Sequence, residues 1–159
     1  MTAASDPSTW KLPRLFIDRD GVWFAEDGEV THAGILANLL ENLRVDRAGH
    51  YLQVGPVRVP VEVEDAPFAV VRVEFEGDAA AVTLSDLSRE RLDLATLSLG
   101  PGEVPYCRVR QGRFAARFSR AATWELLQRV EPDERTGQPV LVLSGTRRPI
   151  PVAGRLGKS

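Results

Sequence analysis

The first half of the chain begins with β-patterned apolar residues on both sides of Asp20-Gly21, a dipeptide that favours a tight hairpin turn. A stretch at 31–43 follows, in which apolar residues recur at the helical spacing i, i+3, i+4 and i+7. Thr31 is the expected N-cap of this helix. Gly49 closes the next loop, and alternating apolar and polar residues continue to Val61. The pattern predicts a hairpin, a helix and a second hairpin.

The second half repeats this order of elements. Gln111-Gly112 predicts another tight turn, residues 119–130 predict a second amphipathic helix, and strand-like residues at 140–152 follow Gly137. Matching positions lie roughly ninety residues apart, a long internal repeat. Each copy is too small to bury a sufficient core alone. We therefore predict an α+β protein of two duplicated β-β-α-β-β lobes, built mostly from antiparallel strands.

Additional strand-like residues at 68–97 separate the two copies, although the segment 89–97 fits a strand or a helix equally well. The sequence Leu99-Gly100-Pro101-Gly102 is the strongest linker signal in the chain. These observations predict a flexible arm at 1–12, an N-terminal lobe with extra strands at 13–99, a C-terminal lobe at 100–153 and a tail at 154–159.

Charge is spread unevenly along the 159 residues, although the formal net charge is only −2. Residues 100–159 contain eleven Lys and Arg against five Asp and Glu, a balance of +6, whereas residues 1–99 contain nine against seventeen, a balance of −8. Such a split can steer an anionic partner toward the C-terminal lobe. Two solvated faces of differing composition would give the same counts.

The composition is that of an ordinary globular protein, with 43% hydrophobic and 26% charged residues. A single cysteine, Cys107, excludes an intramolecular disulfide, and two histidines disfavour a structural zinc site. No apolar stretch is long enough to cross a membrane, and the first residues do not resemble a secretory signal. We expect a cytoplasmic protein that contacts neither membrane nor nucleic acid and holds no metal or other cofactor.

Four arginines cluster in the predicted hairpin around Gln111-Gly112. With a two-residue loop, Cys107 faces inward, and the opposite face carries the four arginines together with Tyr106. Guanidinium groups bind phosphate or carboxylate through a planar fork of donors. The alternative is a solvent-facing hairpin whose arginines pair with carboxylates of the acidic lobe. The predicted anion site comprises Tyr106, Arg108, Arg110, Arg113, Arg117 and, near the junction of the lobes, Asp65.

One segment also suggests an enzyme. Leu15 to Val22 is an apolar strand that ends in Asp-x-Asp-Gly, which resembles the first motif of haloacid-dehalogenase-type phosphatases. By that resemblance Asp18 would attack phosphorus and Asp20 would act as acid and base. Those enzymes use a doubly wound parallel sheet, whereas this chain has only two convincing helical patterns. An Asp-x-Asp-Gly turn also occurs in hairpins for conformational reasons alone.

Four segments of the chain occur in a recognisable order: Asp20-Gly21-Val22-Trp23, Gly49-His50-Tyr51, Asp65-Ala66-Pro67-Phe68, and Tyr106-Cys107-Arg108-Val109-Arg110 with the helix after it. Their order and spacing resemble the uncharacterised proteobacterial family called domain of unknown function 1285 (DUF1285), over residues 10–149. That resemblance implies a duplicated α+β fold whose C-terminal half is similar to pleckstrin-homology-like folds. It also implies a nucleotide-like ligand between the halves and a role in signalling, and it brings no catalytic residues.

These observations together predict a non-catalytic binding or regulatory protein whose ligand is a small anion held between the lobes. A protein-interaction module, which would bind a partner chain through a strand edge or an apolar patch, remains the main alternative. The phosphatase hypothesis is the other alternative. Nucleic acid is disfavoured because the chain is net acidic and its basic cluster lacks the interleaved aromatic residues of a single-strand platform.

Overall fold

The computed structural model describes residues 14–152 except residue 27, so the predicted arm at 1–12 and tail at 154–159 lie outside the described residues. The first half contains six strands and one helix. They are β1 (Leu15–Ile17), β2 (Trp23–Ala25), β3 (Gly28–Glu29), α1 (Ala33–Glu41), β4 (Leu43–Asp46), β5 (Gly49–Val54) and β6 (Val57–Val63).

Up to residue 152, where the described part ends, the second half contains nine strands, one helix and two short 3₁₀ turns at Leu94–Thr96 and Pro101–Glu103. The segment that fitted either a strand or a helix is therefore a strand followed by a 3₁₀ turn. The elements are β7 (Phe68–Glu76), β8 (Ala79–Leu84), β9 (Arg89–Arg91), β10 (Ser98–Leu99), β11 (Pro105–Val109), β12 (Phe114–Phe118), α2 (Arg120–Leu127), β13 (Val130–Pro132), β14 (Pro139–Leu143) and β15 (Thr146–Pro149).

The strands form three sheets. The first has the order β3-β2-β1-β6-β5-β4, the second β10-β11-β12-β7-β8-β9, and the third β13-β14-β15. Neighbouring strands are antiparallel except for two pairs, β1 with β6 and β7 with β12. The order hairpin, helix and antiparallel strands occurs in both halves, which confirms the α+β class and two similar lobes.

The second sheet combines strands from both sides of the linker signal at Leu99-Gly100. Strands β7 to β10 precede that point, whereas β11 and β12 follow it. Asp65-Ala66-Pro67-Phe68 carries the chain from the first sheet into the second, and Ala66, Pro67 and Phe68 are buried. The lobe boundary between residues 99 and 100 stays a prediction.

Helix α1 differs from its prediction at both ends. His32 rather than Thr31 is the N-cap, and its Nδ1 accepts hydrogen bonds from the backbone N–H groups of Gly34 and Ile35 at 3.1 and 3.3 Å. Leu43, predicted as the last apolar residue of the helix, begins the edge strand β4 and is fully buried there. Ile35 is 51% exposed, so the buried face of the helix is narrower than its spacing predicts.

Helix α2 packs closely on β7. Ser119 is its N-cap, as the sequence predicts, and the hydroxyl accepts from the N–H of Ala122 at 3.1 Å. Ala122 and Leu126 are completely buried, whereas Trp124 is 68% exposed. Beyond the end of β12, the Glu125 carboxylate accepts from the N–H of Val73 in β7 at 2.8 Å. The Glu125 carboxylate thus accepts from a backbone N–H of β7 that lies beyond the reach of β12, and this hydrogen bond holds α2 against β7.

Neither helix of the described part of the chain has the length and apolar character needed to span a membrane. The core is contributed by all three sheets. Its largest fully buried side chains include Trp23, Phe68, Leu84, Leu126 and Leu141.

Candidate functional site

The hairpin of β11 and β12 has the register that its turn residues predict. Tyr106 lies opposite Arg117, and Val109 lies opposite Phe114. Gln111 and Gly112 have φ of 62° and 81°, the left-handed pair that matches the twist of a two-residue hairpin loop. Cys107 faces inward, and burial raises the pKa of its thiol to about 12, so the thiol stays protonated at neutral pH.

Arg110 is a structural contact of the loop and lies away from Arg117. Its backbone has φ of 55°, and its Nη2 donates to the Asp86 carboxylate at 2.5 Å and to the Ser88 hydroxyl at 3.2 Å. The guanidinium carbon lies 5.0 Å from the centre of the Phe68 ring. Because Asp86 is almost buried and already paired, Arg110 joins the hairpin loop to the turn before β9.

Arg108 and Arg113 also serve the loop. The Arg108 guanidinium donates to the carbonyl of Gly112 at 3.1 and 3.2 Å, and Arg113 Nε donates to the carbonyl of Arg110 at 3.1 Å. Both side chains are exposed. Three of the five hairpin residues predicted for the anion site therefore do not meet Arg117.

The structure does bring together Arg117, Tyr106 and Asp65. Arg117 Nη1 donates to the Asp65 carboxylate at 2.9 Å, and the Tyr106 hydroxyl donates to the same carboxylate oxygen. The Arg117 side chain is only 22% exposed. Burial, followed by the hydrogen bond to Asp65, raises the pKa of Tyr106, so its hydroxyl remains a donor at neutral pH. Asp65 and Tyr106 thus hold the Arg117 guanidinium in a fixed orientation at the junction of the lobes, and the Asp65 carboxylate offsets its charge.

A groove of about 510 Å³, here called the inter-lobe groove, runs past Arg117. One wall comes from the turn between β1 and β2, with Arg19 and Asp20. The other wall comes from β12 and α2, with Arg117, Arg120 and Trp124. Arg117 also lines a smaller depression of about 360 Å³, together with Arg19, Asp65 and Tyr106 among others. Arg117 and Arg19 thus belong to both.

Sequence reasoning predicted only Arg117 among the residues that line this groove. Arg19 was grouped with a suspected phosphatase motif, and Arg120 and Trp124 were assigned only to a helix. The available signal was Trp124, because an aromatic residue two positions after Ala122 and two before Leu126 lies off the buried face of α2. Single exposed apolar residues are common on protein surfaces, so Trp124 becomes a candidate contact only because it also lines the groove.

The turn between β1 and β2 is stabilised by Asp18 itself. The Asp18 carboxylate accepts from the N–H groups of Asp20 and Val22, both at 2.9 Å, and Gly21 has φ of 81°. This hydrogen bonding explains the Asp-x-Asp-Gly sequence by conformation alone. The phosphatase hypothesis requires a doubly wound parallel sheet, and the observed sheets are mainly antiparallel. Within residues 14–152, residue 27 aside, no three acidic, His or Cys side chains form a group that could hold a metal ion.

His50 on β5 links the two large sheets, because its ring stacks on Phe114 of β12 with 6.3 Å between centroids.

Burial lowers the pKa of His50. The unfolded chain therefore binds a proton more readily, so the free energy of unfolding should fall as the pH drops below about 6.5 and level off below the folded pKa. Urea unfolding of the protein and of His50→Gln between pH 8 and 5 tests this. An equally steep decline in His50→Gln would assign the effect to other groups.

No protein-family model matches this chain, and no curated protein matches it. Two crystal structures do. A DUF1285 family protein from Silicibacter pomeroyi DSS-3 is 23% identical, with a TM-score of 0.71 over 96% of this chain and 90% of the other. A DUF1285 family protein from Shewanella baltica OS155 is 20% identical, with a TM-score of 0.62 over 73% of this chain and 91% of the other. The chain therefore has the fold of solved DUF1285 family proteins, the family that its four sequence segments resemble.

Proposed function

We propose that this protein is a non-catalytic member of the DUF1285 group that binds an anionic small molecule, of nucleotide-like character, in the inter-lobe groove. Ligand binding there would make it a sensor or regulator in signal transduction. The observation that carries the proposal is the half-buried Arg117, fixed by Asp65 and Tyr106 at a groove that Arg19 also lines.

The arrangement of Arg117 suits a phosphate. Guanidinium groups bind phosphate oxygens through charge-assisted hydrogen bonds, and these bonds gain strength when the group is partly withdrawn from water. Arg117 holds its position through Asp65, so little side-chain entropy is lost when a ligand binds. Arg19 and Arg120 add two further positive charges at the same groove. An anion with several charged oxygens would satisfy all three.

Trp124 supplies the second half of a nucleotide site. Its indole is 68% exposed and lines the same groove as Arg117. Aromatic faces stack on nucleobases with about 1–3 kcal/mol per base. Asp20 and Glu103 also line the groove, and their carboxylates can accept hydrogen bonds from ribose hydroxyl or base amino groups. The volume of about 510 Å³ is within the range of ordinary small-molecule sites.

The proposal is tested by calorimetric titration of the protein with a panel of nucleoside mono-, di- and triphosphates, with cyclic nucleotides included. Arg19→Ala and Arg117→Ala should each weaken binding by about tenfold or more, because each removes charge-assisted hydrogen bonds. Affinity should also fall as NaCl is added. Ligand binding should change the tryptophan fluorescence. Trp124→Phe in a Trp10→Phe background should remove that change, since the third tryptophan, Trp23, is fully buried.

Arg108→Ala is the matched control, because Arg108 is an exposed arginine of the same hairpin that does not line the groove. Its affinity should equal that of the unmodified protein. If the Arg108 variant lost binding while the Arg19 variant kept it, the site would be the loop rather than the groove. If no nucleotide or inorganic phosphate produced heat or raised the melting temperature, the proposed function would be wrong.

A further inference from the structure

A second cavity, of about 220 Å³, adjoins the inter-lobe groove. Glu103 and Leu127 line both spaces, which therefore lie side by side at the C-terminal end of α2. Leu127 is 40% exposed, so its side chain can be reached from the solvent. A ligand seated at Arg117 and Trp124 therefore has a further space within reach.

The lining of this cavity is chemically unlike that of the groove. It consists mainly of aliphatic side chains: Leu99 of β10, Val130 and Pro132 of β13, Pro139 of β14, and Val152, which pairs with Leu99. Strand β10 and the end of the third sheet are joined there by the N–H of Leu99, which donates to the carbonyl of Pro151 at 2.8 Å. The cavity is thus a built part of the fold.

The charges at the cavity decide which end of a ligand could enter it. Within the part of the chain that the structure describes, the charged residues lining the cavity are Glu103 and Glu131, and no Lys or Arg lines it. A phosphate there would face the Glu103 carboxylate and would lack a cationic partner, because Arg147, which is paired with Glu131 at 2.8 Å, does not line the cavity. An aliphatic group would instead remove apolar side chains from water. The phosphate end of a ligand therefore belongs at Arg19 and Arg117, and an uncharged apolar end belongs in the cavity.

We infer that the natural ligand is a phosphate ester that carries an aliphatic substituent, with the phosphate at Arg19 and Arg117 and the substituent in the cavity beyond Leu127. This inference rests on the proposed function and narrows its ligand class. A plain nucleotide would fill only the inter-lobe groove, whereas an alkyl- or acyl-substituted phosphate would fill both spaces.

The test uses inorganic phosphate and methyl, butyl and hexyl phosphate as probes, titrated calorimetrically below the concentrations at which they form micelles. Affinity should rise by roughly tenfold from butyl to hexyl phosphate, because two more methylene groups leave water. A parallel titration with a nucleoside monophosphate and its hexyl ester shows whether the alkyl group improves affinity by itself or only together with a bound nucleobase.

Two substitutions test whether the alkyl chain of the bound phosphate ester occupies the cavity. Val130→Thr replaces a methyl group of the lining with a hydroxyl, and Leu127→Gln makes the boundary between the two spaces polar. Both should reduce the gain from butyl to hexyl to about threefold or less. In Val130→Thr, whose residue lines the cavity but not the groove, the affinity for inorganic phosphate should stay unchanged. Val54→Thr is the matched control, since Val54 is an exposed valine of β5 that lines neither space. It should keep the full chain-length dependence.

The outcomes separate the two proposals. If inorganic phosphate and nucleotides bind but hexyl phosphate binds no better than methyl phosphate, the inferred ligand class is wrong and the groove function stands. If the affinity gain from butyl to hexyl phosphate is the same in the Val130, Leu127 and Val54 variants, the alkyl groups bind to apolar surface elsewhere on the protein. That result also overturns the inference. If no phosphate binds at all, both proposals fail.

Discussion

Replacing Phe68 with alanine is expected to lower the free energy of unfolding by about 4 kcal/mol. Phe68 begins β7, pairs with Ala116 across the parallel junction of the second sheet and is 1% exposed. Its ring packs 5.6 Å from that of Phe114 and beneath the Arg110 guanidinium. Truncation removes a large buried surface and leaves a cavity that these neighbours cannot close. Urea denaturation followed by circular dichroism measures the loss.

Phe75→Ala is the matched control for Phe68→Ala, because Phe75 belongs to the same strand and also lies under an arginine, Arg129, at 4.7 Å. Phe75 is only partly buried. Its replacement should cost about half as much, since less apolar surface is lost from the core. Equal reductions in the free energy of unfolding for the two variants would show that burial of Phe68 at the β7–β12 junction contributes no more than that of Phe75.

Gly21→Ala is expected to destabilise the fold by about 3 kcal/mol. Gly21 has φ of 81°, where a residue with a Cβ atom is disfavoured by about 1–2 kcal/mol. The added Cβ would also lie 2.7 Å from the Cβ of Ala69, and such crowding costs about 1–3 kcal/mol. Since this turn carries Arg19 and Asp20, its displacement should weaken ligand binding as well.

Gly77→Ala separates the two causes. Gly77 has φ of 60° in the turn between β7 and β8, and an added Cβ would have no neighbour within 4 Å. Its replacement should cost only the backbone strain, about 1 kcal/mol. The thermal unfolding temperatures of both variants give the comparison. If Gly21→Ala were no more harmful than Gly77→Ala, the close approach of the turn to β7 would not matter to stability.

Local turn chemistry made much of the fold predictable from the sequence. The Gln111-Gly112 loop predicted the register of β11 and β12, and Ser119 predicted the start of α2. The two parallel pairings, β1 with β6 and β7 with β12, had no local signature, because each joins strands that are distant in the chain. The end of α1 was misplaced since Leu43 suits the spacing of a helix and of an edge strand equally.

The candidate site was predictable only in part. Alternation along β11 and β12 places Tyr106 and Arg117 on the polar face, and the sequence also suggested Asp65 near them. Alternation does not say which partner each arginine finds. Arg110 instead pairs with Asp86, which lies on a separate turn, while Arg108 and Arg113 donate to carbonyls of their own loop. Arg19 and Trp124 reach the groove through long-range packing that no local pattern encodes.

The sharing of the second sheet between early and late strands has a consequence for the nascent chain. All six strands of the first sheet lie within residues 15–63, so that sheet can close soon after those residues leave the ribosome. Strand β7 must then wait for β12, which is synthesised much later. Until Phe118 has emerged, one edge of β7 stays open to pairing with other chains. The risk of aggregation through this edge therefore falls only once β12 has been synthesised and has paired with β7.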